Sequence, residues 1–201
     1  MSSYTLFFNP MSRAMIAKWA FAEAGVEPEL AMVEWENKPQ ALLDANPMGK
    51  LPTIIHHHGD HDHVVTEAAA ICHYLAEMEA PDLLPREEEK ANYFRWLFFG
   101  SGPVEHAVTN HAMGWEPDGP KQEGMAGFGS YKRVMDTLDN WLSDHDFVCG
   151  DRFTMADVYV GSQVDWGLNF ETMERRDSFA AYQDRLRERD AYRDTMIPPD
   201  L

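Results

Sequence analysis

Strand signals are confined to the first third of this 201-residue sequence, and this distribution constrains the fold more than any other feature. The first signal, Tyr4–Phe8, is an apolar run of β-formers that Asn9-Pro10 ends. A helical pattern then begins at Ser12 and stops at Gly25. The predicted order is strand, helix, strand, helix, strand, strand, helix, over Tyr4–Phe8, Ser12–Glu23, Glu29–Trp35, Pro39–Ala45, Leu51–His57, His63–Val65 and Glu67–Met78.

The remainder of the chain is predicted to be helical. Ala80–Arg86 carries two prolines and no hydrophobic period, which indicates a linker. Met113–Gly129 holds five glycines and two prolines, which favours a loop. The predicted helices are Glu87 to about His111, bent near Gly100–Pro103, then Ser130–Ser143, Thr154 to about Leu168, and Ser178–Arg189. A small α/β domain therefore precedes an all-helical one.

Charge and cysteine content exclude several classes of function. The chain has 17 basic and 34 acidic residues, a net charge of −17, so nucleic acid and anionic membranes are poor partners. Cys72 and Cys149 share no motif spacing, which argues against a zinc site or a disulfide framework and favours the reducing cytoplasm. No signal peptide and no membrane-spanning run is predicted.

The strongest local motif is N-P-M-G-K-L-P-T, which we call the Asn46–Thr53 loop. Gly49 permits a tight turn, and Pro52 can open a strand because its missing N–H is not needed there. A cis Leu51–Pro52 bond would turn the backbone N–H and C=O of Leu51 outward, where a peptide-like ligand can pair with them. The alternative is an ordinary turn before a strand.

A second motif, Thr66–Ile71, stands at a strand-to-helix junction. The N–H groups at a helix N-terminus bind carboxylates, and Glu67 beside them can accept hydrogen bonds from an ammonium group. The junction therefore suits the head group of an α-amino acid. The alternative is a helix whose first turn holds an acid because the helix dipole favours one.

A third motif, Phe153–Val158, is structural. Thr154 and Asp157 form a predicted capping box, and Phe153 with Val158 a hydrophobic staple. A cap of this kind stabilises a fold by about 0.5–2 kcal/mol.

In this order and spacing, the three motifs resemble the cytosolic glutathione transferase family over nearly the whole chain. The resemblance implies a thioredoxin-like domain at residues 1–79, a linker at 80–86 and an all-helical domain at 87–201. It further implies a cytoplasmic homodimer that uses glutathione as co-substrate. We expect a glutathione transferase that conjugates the tripeptide to a small electrophile.

The family's glutathione contacts map onto the matching positions of this chain. The resemblance assigns Leu51, before Pro52, to the cysteinyl backbone, Glu67 to the γ-glutamyl end and Lys38 to the glycyl carboxylate, with Lys50 nearby. Where the family usually has serine after the acid, this chain has Ala68. A hydrogen bond to a charged group contributes about 1.5–3 kcal/mol, so we expect weaker glutathione binding unless Thr66 compensates.

The residue that activates the thiol is predicted to be Ser12. The family uses tyrosine, serine or cysteine after the first strand, but the tyrosine position falls on Phe8 and no cysteine precedes Cys72. A hydroxyl donor and a helix N-terminus both favour thiolate over a thiol of pKa about 8.5. Asn9 is the second candidate donor, and the alternative for Ser12 is a helix cap.

Two further groups of residues leave alternatives open. An apolar substrate pocket formed by Met11, Trp96, Phe99 and Trp115 is one interpretation of these side chains, and core packing is the other. The histidine-rich run His56–His63 has side chains that can ligate zinc or nickel, but at a predicted hairpin tip we interpret it as a solvated polar turn and expect no metal.

Two other functions remain compatible with these motifs. A glutathione-dependent disulfide or peroxide reductase would use the same thiol site. A non-catalytic protein with this fold would act as a dimeric interaction module, and Ala68 favours that alternative.

Overall fold

The computed structural model describes residues 3–59 and 61–196. They form two compact units, residues 3–84 with 189–196 and residues 85–188. The predicted domain division at residues 79 and 87 stays a prediction. The last helix, however, belongs with the first unit and not with the helical one.

The first unit contains a four-stranded mixed sheet in the order β2-β1-β3-β4. β1 pairs parallel with β2 and antiparallel with β3, which pairs antiparallel with β4. The predicted order of elements is confirmed, over β1 Tyr4–Phe8, α1 Ala14–Glu23, β2 Glu29–Met32, α2 Gln40–Ala45, β3 Thr53–His58, β4 His61–Thr66 and α3 Ala68–Met78.

Strand alternation gives the sheet two differently packed faces. On one face Phe7 packs with Val33 and Leu42, and the side chains of Leu51 and Ile55 add to this cluster. Val33 follows the end of β2, where its N–H still donates to the Phe8 carbonyl at 2.8 Å. The apolar cluster therefore anchors Leu51, the residue before the cis proline, to the core.

The other face of the sheet packs against α1 and α3. Tyr4 and Ile54 are fully buried there. The Tyr4 ring meets the edge of Phe21 at a centroid distance of 5.2 Å and stacks on His56 at 4.2 Å. Since Tyr4 and His56 are directly opposed across β1 and β3, this stack fixes the register of the two strands.

A helix that the sequence did not indicate, α10 (Asp190–Met196), packs against α1. Trp19 and Tyr192 meet edge to face at 5.1 Å, and Arg189 donates to both carboxylate oxygens of Glu23 at 2.7 and 2.6 Å. The predicted final helix through Arg189 was therefore wrong at its end, because it stops at Arg187 and the chain continues into α10.

The second unit is helical in its described residues: α4 Lys90–Phe99, α5 Glu105–Met113, α6 Gly119–Met125, α7 Tyr131–Leu142, α8 Met155–Asn169 and α9 Asp177–Arg187. A π-helical segment with Pro103 inside it joins α4 to α5 at the position of the predicted bend, which stays a prediction. The predicted loop at Met113–Gly129 was wrong, since it contains α6. Pro120 is tolerated there because it lies in the first turn of the helix.

The capping box at the start of α8 is present. The Asp157 carboxylate accepts from the backbone N–H of Thr154 and of Val148 at 2.8 Å each, and from the Tyr182 hydroxyl at 2.8 Å. Burial, which outweighs these hydrogen bonds, raises the pKa of Asp157 to about 6. All of its neighbours are internal, so the motif stabilises α8 and contacts no ligand.

Candidate functional site

The elements that carry the predicted glutathione contacts meet at one edge of the sheet. Phe7 near the end of β1 pairs with Thr53 at the start of β3, and Thr53 pairs with Thr66 at the end of β4. The β1–α1 loop, the Asn46–Thr53 loop and the start of α3 therefore leave the sheet side by side. This edge brings together residues that lie more than fifty positions apart in the sequence.

The Asn46–Thr53 loop is held from inside by the side chain of Asn46. Its amide donates to the Lys50 carbonyl at 3.2 Å and to the Thr53 hydroxyl at 3.0 Å, and its oxygen accepts from the Met48 N–H at 3.1 Å. Gly49 has φ +57°, and a Cβ there would fall 3.1 Å from a Leu43 methyl group. The loop therefore has a fixed shape before any ligand arrives.

The Leu51–Pro52 peptide bond is cis, in agreement with the prediction. The Leu51 side chain packs on the apolar cluster of the sheet. Its backbone N–H and C=O form no hydrogen bond with any described residue. Since backbone polar groups of this kind are normally paired, Leu51 offers one donor and one acceptor to an extended peptide-like ligand.

Next to it, Glu67 occupies a position of unusual backbone geometry. Its φ of +66° is rare for a residue with a side chain, and such a conformation costs about 1–3 kcal/mol. Glu67 is the N-cap of α3, and no side chain caps this helix in the described part of the chain. The N–H groups of the first turn, from Ala68 onward, are therefore open to an anion, with an exposed carboxylate beside them.

The two predicted lysines differ in placement. The Lys38 ammonium donates to the Gly49 carbonyl at 2.8 Å, which ties it to the Asn46–Thr53 loop, whereas Lys50 is exposed. An ammonium has three N–H donors, so Lys38 keeps two after this bond. The structure therefore brings Lys38 to the predicted edge and leaves the side chain of Lys50 in solvent.

The Asn9 side chain is already engaged. Its amide donates to the Val33 carbonyl at 2.8 Å, and its oxygen accepts from the Met11 N–H at 2.8 Å. The bond to Val33 joins the β1–α1 loop to the chain just after β2, and the bond to Met11 lies within the loop. As placed, Asn9 braces this loop, and one amide hydrogen remains for any other partner.

The Ser12 hydroxyl is also engaged in the same loop. It donates to the Asn9 carbonyl at 2.6 Å and accepts from the Ala14 N–H at 3.1 Å. Ser12 thus caps the chain just before α1, which begins at Ala14 and not at Ser12 as predicted. A hydroxyl has one proton, so donation to a thiolate requires it to leave the Asn9 carbonyl.

The four residues of the predicted substrate pocket have different environments. Met11 in the first unit and Trp115 in the second are exposed by 78% and 63%. Trp96 is fully buried, with Phe99 and Trp141 around its ring at centroid distances of 5.3 Å each. Core packing is therefore the correct interpretation for Trp96, because a fully buried ring cannot contact a substrate.

Sequence reasoning missed the bracing role of Asn46 and Thr53. The signal was available, because an asparagine side chain that bonds the backbone two residues on is typical of turns.

The interpretation of His56–His63 as a solvated turn was wrong for His56, which is only 5% exposed and stacks on Tyr4. In residues 3–59 and 61–196, no group of three or more histidine, cysteine or acidic side chains is arranged so that it could hold a metal ion. Nor does any described helix have the length and apolarity that crossing a membrane requires.

Comparison with known proteins yields family matches to both parts of the chain. The family model described as glutathione S-transferase, N-terminal domain, matches residues 2–77, and the C-terminal domain model of the same family matches residues 102–189. Glutathione S-transferase GstA of Escherichia coli O157:H7 is 26% identical over 208 residues, which cover 98% of each chain.

Two further similarities bear on chemistry. The crystal structure of a theta class glutathione S-transferase from Xanthomonas axonopodis pv. citri, with glutathione bound, has a TM-score of 0.77 and 27% identity, covering 98% of this chain and 99% of that one. The disulfide-bond oxidoreductase YghU of Escherichia coli K12 is 30% identical over 137 residues, which cover 59% of this chain and 42% of that protein.

Proposed function

This chain belongs to the glutathione S-transferase family, and we propose that it binds glutathione, stabilises its thiolate and conjugates it to a small electrophile. The observation that carries the proposal is the unpaired backbone of Leu51 beside the uncapped N-terminus of α3. The similar theta class enzyme, whose structure holds glutathione, supports the same ligand.

Each end of the tripeptide has a counterpart at this edge. The Leu51 N–H and C=O pair with the cysteinyl backbone, as a neighbouring strand would. The γ-glutamyl carboxylate binds the open N–H groups of α3, and its ammonium binds Glu67. Lys38 uses a remaining N–H for the glycyl carboxylate.

In the proposed mechanism the protein orients the thiol and lowers its pKa. A thiol of pKa about 8.5 is only a few per cent ionised at neutral pH. When the Ser12 side chain rotates, its hydroxyl stops donating to the Asn9 carbonyl and donates a hydrogen bond to the thiolate sulfur instead, and the start of α1 adds a favourable dipole. Asn9 acts by holding this loop on β2 and has a spare amide hydrogen for the sulfur.

We further propose a homodimer in the reducing cytoplasm. Phe94 and Phe98, one turn apart on α4, are exposed by 41% and 66%, which supports an apolar contact surface. Both cysteines, Cys72 and Cys149, are free and buried, which suits a reducing compartment. Sedimentation at micromolar concentration measures the oligomeric state, and a monomer contradicts the dimer.

A glutathione-dependent disulfide reductase is the second candidate, favoured by the similarity to YghU. The same open edge would hold glutathione, and the thiolate would attack a disulfide sulfur in place of a carbon electrophile. The two candidates differ in their second substrate and not in the groups that bind the first.

Calorimetric titration with glutathione, followed by two assays, tests both candidates. Conjugation of an activated aryl halide supports the transferase, and reduction of a mixed glutathione disulfide without conjugation supports the reductase. Absence of binding at millimolar glutathione contradicts both and favours a non-catalytic interaction module.

A further inference from the structure

Strand β2 (Glu29–Met32) forms one edge of the four-stranded sheet, because the strand order is β2-β1-β3-β4. It pairs in parallel with β1 on one side. Among residues 3–59 and 61–196, no strand pairs with its other side. An open edge strand is a template on which another chain can pair, so this outer edge of β2 can accept a partner.

The outer edge of β2 presents the backbone groups of Leu30 and Met32. The Val33 N–H donates to the Phe8 carbonyl at 2.8 Å, so the backbone groups of Val33 and of every second residue before it point towards β1. Those of Leu30 and Met32 therefore point away from the sheet. A further strand laid along this edge can pair with two N–H and two C=O groups.

The side chains along this edge are apolar and exposed to solvent. Leu30 and Met32 are exposed by 41% and 62%, and Trp35, three residues beyond the strand, by 51%. Leu30 and Met32 stand opposite Leu6 and Phe8 of β1, which are both buried. The apolar face of the sheet therefore continues from β1 onto β2, where it lacks a cover, and a further strand would bury side chains as well as pair backbone groups.

The charges around the edge select the kind of partner. Residues 27–37 contain four glutamates and no lysine or arginine. Glu29, Glu34 and Glu36 are exposed, and none of them forms a salt bridge with a described residue. Lys18 of α1 lies over the end of β1 and is one positive charge against them. Like charges repel, so two copies of this edge disfavour each other, whereas a basic segment is attracted.

We propose that the outer edge of β2 docks an extended segment of another protein in which lysine or arginine alternates with apolar residues. Strand alternation places Leu30 and Met32 on one face of β2 and Glu29 on the other. A segment of alternating character therefore sets its apolar side chains beside the first face and its cations beside the second. Glu34 and Glu36 lie just beyond the strand and attract the cations at the end of the segment. Docking at this edge uses none of the groups proposed to bind glutathione.

The test is a titration of the untagged full chain against a labelled, end-blocked six-residue peptide that alternates lysine and valine, followed by fluorescence anisotropy. We expect saturable binding of one peptide per chain, with an affinity that falls as salt rises. A lysine–proline peptide of the same charge should bind at least tenfold more weakly, because proline lacks the N–H and the strand preference that pairing requires. A glutamate–valine peptide should not bind.

Met32→Pro is the sharpest variant, because it removes one outward N–H and leaves the bonds to β1 in place. It should weaken binding of the lysine–valine peptide tenfold or more. If melting shows that this variant is misfolded, Met32→Lys replaces it, since a lysine on an edge strand blocks pairing and repels the peptide. Glu34→Gln combined with Glu36→Gln should also weaken binding. The matched control is Glu87→Gln combined with Glu88→Gln, two exposed acids of the second unit, which should leave the affinity unchanged.

Three results would overturn the docking site. Equal binding of the lysine–proline peptide, or equal losses in the two glutamine pairs, would reduce the interaction to general charge attraction. An unchanged affinity in the folded variant at Met32 would show that the edge is not used. A dimer that sediments intact without peptide and is lost in Met32→Lys would assign the edge to a second copy of this chain.

Discussion

The Asn46–Thr53 loop and the capping box of α8 are both strong sequence motifs, but their polar groups are used differently. In the capping box every oxygen of the buried Asp157 carboxylate has an internal donor. At the Asn46–Thr53 loop, the backbone N–H and C=O of Leu51 have no hydrogen-bond partner among the described residues. The N–H groups in the first turn of α3 likewise have no side-chain acceptor there. Unsatisfied polar groups on a rigid support, more than motif strength, distinguish the edge that we propose as the ligand site.

The largest effect is expected at the capping box. Asp157→Ala leaves the Val148 N–H, the Thr154 N–H and the Tyr182 hydroxyl without their acceptor in the core. Each unsatisfied buried group costs about 1–3 kcal/mol, so the free energy of unfolding should fall by about 3 kcal/mol or more. Denaturant unfolding measures this loss. A change below about 1 kcal/mol would break the comparison, because the box would then not be structural.

The counterpart at the open edge is a loss of binding that is larger than the loss of stability, although Lys38→Ala also removes the bond to the Gly49 carbonyl. Glu67→Ala and Lys38→Ala each remove one charge-assisted contact, so glutathione affinity should fall by about 1.5–3 kcal/mol. Calorimetry measures the affinity and melting the stability. Glu87→Ala and Lys132→Ala, exposed charges in the second unit, are the matched controls. Unchanged affinity in both test variants would mean that the site is misplaced.

Ser12 combines a structural role with a proposed functional one, because its hydroxyl caps the β1–α1 loop and is also proposed to activate the thiol. Ser12→Ala should raise the pKa of bound glutathione by about one unit, which is 1.36 kcal/mol, and lower turnover more than affinity. The loss of rate should shrink as pH rises, since the thiol then ionises unaided. Thiolate absorbance against pH measures the shift. A pure cap instead predicts an unshifted titration and about 1 kcal/mol of lost stability.

A gain of function can sharpen the same comparison. Ala68→Ser supplies the hydroxyl that the family usually has at the start of this helix, so glutathione affinity should rise by about 1.5 kcal/mol. Ala69→Ser, the next position along the helix, is the control and should have no such effect. Titration calorimetry of both variants decides whether the first turn of α3 faces the γ-glutamyl carboxylate.

The smallest expected effect concerns pH. Burial and His58 lower the pKa of His56 in the folded state, with smaller contributions from His63 and His57 that Glu79 opposes. The stability from its neutral ring is present above the unfolded pKa, about 6.5, and is lost as pH falls through the folded value. His58→Ala should therefore reduce the acid-induced fall in melting temperature. An identical fall in both proteins would contradict this assignment.

Much of the first unit could be predicted because its signals are local. Apolar runs, prolines and glycines gave the order of strands and helices, and the Asn46–Thr53 loop gave the cis bond at Leu51–Pro52. Boundaries shifted by a few residues: β2 ends at Met32 and not at Trp35. Helix α6 was missed because its glycines weaken the helical pattern, and α10 because its packing partner, α1, lies far away in the sequence.

The sequence by itself determined the family resemblance, the order of elements and the residue types at the proposed binding edge, since local motifs carry each of these. Tertiary structure decided which of those residues are available to a ligand. It engaged the side chains of Asn9 and Ser12, buried Trp96 and left the backbone of Leu51 unpaired. Burial and hydrogen-bond satisfaction depend on contacts between distant segments, which local patterns do not specify.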